Sequence, residues 1–234
     1  MREEIITNYE VDAIHFDDYF YPYQIKDQDF PDAEAFEQYG QEFWDVGDWR
    51  RSNVDSLIYK LHTQIKTVKP HVKFGISPFG VWRNVADDPG GSLTRAGVTS
   101  YDHLYADILK WMREDWIDYV APQIYWNIGF PPADYETLVD WWRDNSYDKQ
   151  LYIGHAVYKV DNNKELAWSD PEELPRQILL NRKSEGVDGS IFFSSKQILN
   201  NPLGVKDLIE ENYYAAPALI PATPLLEGKA TPLP

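Results

Sequence analysis

Short apolar runs alternate with segments of helical periodicity along most of this 234-residue sequence. Such alternation predicts right-handed βαβ units, in which the strands form a parallel sheet and the helices pack against it. Each run is almost continuously apolar, as expected for strands that are covered on both faces. The five predicted strands are residues 11–16, 72–77, 119–125, 151–157 and 189–194.

Five helices are predicted from the spacing of apolar residues and from their capping residues. The clearest has Asp48 as its N-cap and ends before Pro70. Ser100 is the predicted N-cap of the second helix, which carries apolar residues as far as Met112. The others are predicted over residues 134–144, 171–184 and 203–213.

Three predicted loops that follow strands are long, namely residues 18–47, 78–99 and 126–133, whereas the connections from helix back to strand are short. This asymmetry places functional residues at the carboxyl ends of the strands. From Ala215 onward the chain is rich in proline and alanine. We therefore predict one α/β domain over residues 1–214 and an extended tail or linker over residues 215–234.

The net charge of −16 argues against nucleic acids and anionic membrane surfaces as partners, because phosphate binding needs a positive field. The chain has no cysteine, which rules out disulfides and thiolate metal sites. We predict neither a metal nor a cofactor. No apolar run is long enough to span a membrane, and the first four residues do not resemble a signal peptide. Aromatic residues, 15% of the chain, suit sugar binding as well as core packing.

Two adjacent carboxylates, Asp17 and Asp18, follow the first predicted strand and precede the aromatic residues Tyr19 and Tyr21. Burying a carboxylate costs several kcal/mol unless it is paired, so such a pair beside rings fits a sugar site better than a core. By strand alternation His15 and Asp17 share one face, and Asp18 lies on the other. The alternative is that one aspartate caps the following turn.

Further candidates for substrate binding follow the other predicted strands. They are Ser77, Trp82, Arg83 and Asn84 after the second strand, Gln123, Tyr125 and Trp126 at the third, His155 at the fourth and Lys196 after the fifth. The amide of Gln123 and the phenol of Tyr125 share a face and would point into the same opening.

Each of these candidates also has a purely structural interpretation. Arg83 could form an ion pair with the acidic run at residues 87–88, and Trp126 could pack at the rim. A lone strand histidine such as His155 is more often a hydrogen-bonded core residue than a ligand, and Lys196 could simply be solvated.

Five motifs together resemble one family of bacterial proteins. They are IHFDDYFYP at residues 14–22, KFGISPFGVWRN at 73–84, APQIYW at 121–126, LYIGH at 151–155 and GSIFFS at 189–194. This set resembles the glycosyl-hydrolase-like proteins of family ten, which are (β/α)8 TIM barrels. The resemblance implies that the chain carries the C-terminal five βα units of such a barrel, with residues 1–9 ending the preceding helix.

A barrel of this kind needs eight strands, so the resemblance implies an incomplete barrel and a fragment of a longer protein. An open sheet has two unpaired edges, and self-association through them is therefore expected.

The resemblance also implies a glycoside hydrolase that acts on a bacterial glycan, with peptidoglycan strands as the first candidate and an extracytoplasmic location for the full-length protein. Asp17 matches the nucleophile position of amylase-like barrels. No glutamate follows the next strand, where Ser77 and Phe79 flank a proline. Asp18 or a more distant carboxylate must then supply the acid, or the site binds without cleaving.

Other classes of function have weaker support. A metal hydrolase could use His15, Asp17 and His155, but closely spaced ligand pairs are absent. Neither a phosphate-binding loop nor a nucleophile elbow occurs. The main rival is a non-catalytic glycan-binding barrel, and a third possibility is a scaffold whose acidic surface recruits a basic partner.

Overall fold

A computed structural model describes residues 2–219 of the chain. Five strands alternate with helices over this range, as the sequence predicts. The strands are β1 (Ala13–Phe16), β2 (Lys73–Ile76), β3 (Tyr119–Val120), β4 (Gln150–Ala156) and β5 (Gly189–Phe193). Residues 220–234, which make up most of the predicted tail, lie outside the described residues, so the predicted division into domain and tail stays a prediction.

The five strands form one parallel sheet in the order β1-β2-β3-β4-β5, so every strand lies beside its neighbour in the chain. The sheet is curled into a half-barrel with helices on its convex side. The predicted fold class, a partial (β/α)8 TIM barrel, is confirmed. β3 is shorter than predicted, and beyond it Gln123 continues the pairing through two isolated bridges, to Phe79 and to Gly154.

Eight α-helices are present among the described residues. They are α1 (Arg2–Asn8), α2 (Ala33–Tyr39), α3 (Val46–Val68), α4 (Ile108–Arg113), α5 (Tyr135–Asp144), α6 (Glu173–Lys183), α7 (Ser195–Asn200) and α8 (Val205–Asn212), with short 3-10 helices at Val157–Lys159, Leu166–Ser169 and Pro202–Gly204. Sequence periodicity located α3, α5, α6 and α8 but not α2 and α7, which are too short to show a clear apolar stripe.

Two predicted caps are wrong. The N-cap of α3 is Asp45, whose carboxylate accepts hydrogen bonds from the backbone N–H groups of Gly47 and Asp48. The N-cap of α4 is Asp107, not Ser100, because residues 100–107 form turns and irregular structure before the helix begins. The predicted start of α5 is confirmed, since the Asp134 carboxylate caps it at the N–H of Thr137.

The core lies between the convex side of the sheet and the helices. Strand residues such as Phe74 and Ile153 and helix residues such as Ile58 and Trp142 are completely buried there. Trp111 is also completely buried and donates its indole N–H to Asp55 at 2.6 Å.

Strand alternation gives the sheet a helix-facing side and a concave side. The concave side carries His15, Tyr119, Tyr152 and Ile191; His15 and Tyr119 are paired with Gly75 from either side, and the Tyr119 ring contacts both His15 and Tyr152. Gly75 lies on β2 beneath the Tyr119 ring, where an added Cβ would fall 2.0 Å from a ring carbon. Only glycine therefore lets this ring lie flat across β2. None of the helices in residues 2–219 has both the length and the apolar character that crossing a membrane requires.

Candidate functional site

A cavity of about 710 Å³ opens at the carboxyl ends of the five strands. Its lining includes residues from the segments after β1, β2, β3 and β4 and from β5 itself. Eight predicted site residues lie there, and they are His15, Asp17, Asp18, Tyr19, Ser77, Gln123, Tyr125 and Trp126. A cavity of this size can enclose a ligand of a few rings, and barrel enzymes carry their active sites at this end of the strands.

The two adjacent aspartates both line the cavity, although strand alternation predicted opposite faces for them. β1 ends at Phe16, so the pleat no longer governs the direction of residues 17 and 18. Asp17 is exposed, and its Oδ1 accepts hydrogen bonds from Nε2 of Gln123 at 2.8 Å and from the backbone N–H of Asp18 at 2.9 Å. Asp17 thus has a turn contact, as the structural alternative expects, and a side-chain contact inside the cavity.

Asp18 has a different environment from its neighbour. Its side chain is only 4% exposed, and it accepts a hydrogen bond from the phenol of Tyr23. Burial raises the pKa of the Asp18 carboxyl above its ordinary value, the Tyr23 hydrogen bond opposes this rise, and the charge of Asp17 adds to it. The pair therefore combines an exposed carboxylate with a buried carboxyl that keeps its proton to higher pH.

Hydrogen bonds between polar side chains link the ends of β1, β2 and β3 in the cavity wall beside Asp17. Gln123 donates both to Asp17 and to the backbone carbonyl of Ser77, which joins the ends of β1, β2 and β3. His15 lies 2.9 Å from the hydroxyl of Tyr119 and 3.0 Å from the hydroxyl of Ser77. This network fixes the orientation of the Gln123 amide, and hence of the Asp17 carboxylate.

Aromatic rings form the opposite wall. Tyr125 stacks on Phe193 at 6.1 Å between ring centroids and contacts Tyr158 edge-on at 5.8 Å. Trp126 packs edge-on against Phe79 at 5.5 Å, so it is both a cavity residue and a rim-packing ring. Burial, followed by the charge of Asp17, raises the pKa of Tyr125, so its phenol stays protonated near neutral pH. Flat rings beside hydrogen-bonding groups suit the apolar faces and hydroxyls of sugars.

Sequence reasoning missed several cavity residues, chiefly Tyr23, Phe79, Tyr158, Lys159 and Phe193. Phe79 and Phe193 lie within the family motifs at strand ends, so their position was a usable signal. Tyr23 and Lys159 are several residues beyond their strands. Only the folded path of the 18–47 loop and of the 3-10 helix Val157–Lys159 brings them into the cavity.

Three predicted binding residues after β2 lie outside the cavity, which corrects their assignment. Trp82 is buried and stacks on Trp141 at 5.8 Å. Arg83 forms ion pairs with Asp88 and Asp102, both at 2.9 Å, as its structural alternative expected in part.

Asn84, the third of these residues, donates to the Asp87 carboxylate at 3.0 Å and accepts the N–H of Ala96 at 2.8 Å. The 78–99 loop folds back on itself, so its polar side chains stabilise the loop instead of reaching a ligand.

Tyr21 also lies outside the cavity, contrary to its prediction. Its ring contacts Tyr105 edge-on at 5.0 Å and lies near the Arg50 guanidinium, 5.5 Å from the ring centroid. Arg50 in turn pairs with Asp32 at 2.6 Å. Tyr21 therefore anchors the 18–47 loop to α3, whereas Tyr19 and Tyr23 of the same loop line the cavity.

His155 is a core residue on the helix-facing side of β4, which corrects its prediction as a binding residue. It is completely buried, with Gln177 at 3.0 Å and Ser190 at 2.9 Å from its ring nitrogens. Burial lowers its pKa to about 4, so the ring is neutral. Since Leu151 and Ile153 face the helices, the two-residue alternation puts His155 on the same side.

Lys196 is exposed in α7 and is not among the residues that line the cavity, so the structure does not place its predicted contact with an acidic substituent at this site. Within residues 2–219 no group of three or more His, Asp or Glu side chains is arranged to bind a metal. His15 and His155 lie on opposite sides of the sheet, so the metal-hydrolase alternative has no common ligand site.

Comparison with known proteins identifies relatives of the whole chain. Residues 1–170 match the family model described as glycosyl hydrolase-like 10. The chain is 54% identical over 231 residues to glycosyl hydrolase YngK of Bacillus subtilis. The aligned region covers 97% of the chain and 45% of YngK. The chain is 41% identical over 206 residues to glycosyl hydrolase DigH of Escherichia coli K12, covering 85% of the chain and 46% of DigH.

The chain thus spans less than half the length of these two relatives. The family-model match covers well over half of the chain and includes the β1, β2, β3 and β4 motifs that line the cavity. On this basis the chain belongs to the glycosyl hydrolase-like 10 family.

Proposed function

We propose that the protein containing this chain hydrolyses glycosidic bonds, with the reaction at the paired aspartates of the cavity. The observation that carries this proposal is the difference between two neighbouring carboxyl groups at the end of β1. Asp18 is buried beneath Tyr23, whereas Asp17 is exposed to the same cavity. Glycosidases need one carboxylic acid and one carboxylate, and different environments are what assign these roles.

In this proposal Asp18 is the general acid. Its raised pKa keeps a proton available for the departing sugar oxygen at a pH where an ordinary carboxyl is ionised. Asp17 is the nucleophile or the base that activates water, and Gln123 and the Asp18 N–H hold it in position. The acid is thus supplied by Asp18, the residue beside Asp17, because the end of β2 offers only the hydroxyl of Ser77.

We propose a bacterial glycan, specifically the glycan strands of peptidoglycan, as the substrate. The aromatic wall formed by Tyr125, Tyr158 and Phe193 suits stacking against sugar rings. The net charge of −16 disfavours strongly polyanionic partners such as nucleic acids. Since peptidoglycan lies outside the cytoplasm, the full-length protein would act in the cell envelope or after secretion.

The test is glycan cleavage by the longest natural polypeptide that contains this chain, compared with its Asp17→Asn and Asp18→Asn variants. Loss of a positioned proton donor or nucleophile should lower kcat by about 10²- to 10⁴-fold, measured as release of new reducing ends. Asp12→Asn, at the opposite end of β1, is the matched control and should cleave at the wild-type rate. Wild-type turnover by both site variants would overturn the assignment.

A non-catalytic glycan-binding barrel is the second candidate, because no carboxyl group occupies the end of β2. A binding protein would retain the same oligosaccharide in equilibrium titrations without forming product. Its affinity for the oligosaccharide would also change only modestly in the Asp18→Asn variant. Product formation that depends on Asp18 therefore separates the two functions.

A further inference from the structure

Lys159 supplies the only lysine or arginine among the residues that line the cavity within the described chain. It ends the 3-10 helix Val157–Lys159, directly after β4. Its side chain is partly buried, and its amine lies 6.0 Å from the ring centroid of Tyr158 and 5.8 Å from that of Trp168. No motif in the sequence predicted a role for this residue.

The protein partner of the Lys159 amine is the backbone carbonyl of Tyr125, to which it donates a hydrogen bond. None of the ion pairs found within residues 2–219 includes Lys159, although the chain has an excess of acidic residues. An ammonium group has three N–H donors, so two remain for other acceptors. Burial lowers the pKa of this amine and the charge of Glu165 opposes that effect, whereas a bound anion would favour its charged form.

Tyr125 connects this cation to the proposed catalytic aspartates. Its carbonyl accepts a hydrogen bond from Lys159, and its side chain lines the same cavity as Asp17, whose charge contributes to the raised pKa of the Tyr125 phenol. The cavity therefore has an acidic side at β1 and a cationic side after β4, and Tyr125 of the aromatic wall, which follows β3, lies between them in the order of the strands. A sugar seated on this wall, with its glycosidic bond at the acidic side, would direct a substituent toward Lys159.

We propose that Lys159 is a specificity-determining residue that binds the carboxylate of an acidic sugar adjoining the cleaved bond, an inference that rests on the glycosidase function proposed above. A charge-assisted hydrogen bond from a partly desolvated ammonium discriminates strongly between a carboxylate and its neutral derivative. This places the recognition of an acidic substituent on Lys159, in the segment after β4, and not on the exposed Lys196 of α7.

The experiment uses two substrates that differ in one group. One is an oligosaccharide of alternating N-acetylglucosamine and N-acetylmuramic acid with free lactyl carboxylates, and the other is the same oligosaccharide with those groups converted to methyl amides. The longest natural polypeptide that contains this chain should prefer the acid by roughly 10- to 100-fold in kcat/KM, as expected for hydrogen bonds to a charged group. Lys159→Met should bring the ratio close to one, and Lys159→Arg should retain part of it.

A second measurement does not require turnover. Both oligosaccharides are titrated calorimetrically into the Asp17→Asn variant and into the Asp17→Asn, Lys159→Met double variant. Only the variant that keeps Lys159 should bind the oligosaccharide with free carboxylates more tightly than its methyl amide. Thermal unfolding of each variant monitors folding. Should Lys159→Met fail to fold, equal cleavage of the two substrates by the wild-type protein would still overturn the inference.

The contrary outcomes are distinct. If Lys159→Met reduces cleavage of both substrates by the same factor, Lys159 only braces the Tyr125 carbonyl, and the inference is wrong while the glycosidase function stands. If the wild-type protein neither cleaves nor binds either oligosaccharide, the proposed function fails and the inference fails with it.

Discussion

Two aspartates that are neighbours in the chain have different surroundings in the fold. Asp18 is buried and bonded to Tyr23, whereas Asp17 is exposed and bonded to Gln123. The resemblance matched Asp17 to a nucleophile position and left the acid to Asp18 or a more distant carboxylate, but the sequence did not predict the different surroundings of the two. Those surroundings come from Tyr23 and Gln123, which are 5 and 106 residues away along the chain from their respective partners.

Replacing Tyr23 with phenylalanine should shift the pH profile of cleavage in a defined direction. The Tyr23 hydrogen bond favours ionised Asp18, so its loss raises the Asp18 pKa further. A general acid is active only when protonated, and the alkaline limb of kcat should therefore move to higher pH. A hydrogen bond to a charged group is worth about 1.5 kcal/mol, which corresponds to a shift of about one pH unit.

Tyr19→Phe is the control for this shift. Tyr19 belongs to the same loop, is 73% exposed and contacts the Tyr23 ring edge-on, but it does not hydrogen-bond to Asp18. The alkaline limb of the kcat profile of Tyr19→Phe should coincide with that of the wild-type protein. An alkaline limb that stays in place or moves to lower pH in Tyr23→Phe would contradict the assignment of Asp18 as the acid.

At the scale of single elements, strand alternation was accurate wherever the strand continues and failed where it ends. His15, which lies within β1, faces the cavity as expected, and the same rule applied to β4 would have placed His155 against the helices. Beyond Phe16 the backbone leaves the sheet, and the alternation no longer separated Asp17 from Asp18. Side-chain direction at a strand end therefore depends on the loop that follows.

The N-cap of α3 provides a test at this scale. Asp45 accepts two backbone N–H hydrogen bonds, whereas Asp48 forms an ion pair with Arg51 at 2.7 Å and its side chain is 49% exposed. Asp45→Ala should lower the free energy of unfolding by about 1 kcal/mol, because a capping side chain satisfies otherwise unpaired N–H groups. Denaturant titration monitored by circular dichroism measures this change.

Asp48→Ala is the matched variant for this comparison, since it removes the same charge from the same end of α3. Exposed ion pairs stabilise proteins by roughly 0.5 kcal/mol, so its effect should be smaller than that of Asp45→Ala. A larger loss of stability for Asp48→Ala would support the cap that the sequence predicted instead of the one described here.

At the scale of the whole molecule, the sheet has two outer strands. Among residues 2–219, β1 pairs only with β2 and β5 pairs only with β4. The concave side also exposes apolar groups, including Ile191 at 41% and Phe193 at 52%. Unpaired strand edges beside apolar surface favour association with another chain.

We therefore expect the 234-residue polypeptide, studied by itself, to self-associate at tens of micromolar or above. Ile191→Glu should weaken this association, because a charge on the concave side of an outer strand opposes edge pairing. Leu166→Glu is the control, since Leu166 is 86% exposed but lies in a 3-10 helix away from the sheet edge. Sedimentation velocity over a concentration series measures the effect, and a monomer at every concentration would contradict the expectation.

Local patterns in the sequence were sufficient for the order of strands and helices, the buried helix faces and the carboxylates at the end of β1. These features depend on periodicity within about 20 residues, which a sequence displays directly. The loop residues were harder to assign. Arg83 and Tyr21 carry the right chemistry for a sugar site, but the paths of their loops direct them toward Asp88 and Arg50 instead.

The sequence by itself determined that this chain forms consecutive parallel βα units and that Asp17 and Asp18 lie at the carboxyl end of the first strand. Only the tertiary structure decided that Tyr23 covers Asp18, that Lys159 enters the cavity and that His155 does not. The physical reason is that periodicity fixes which face of an element is buried. The neighbours of a loop side chain, in contrast, depend on contacts between segments that are far apart in the chain.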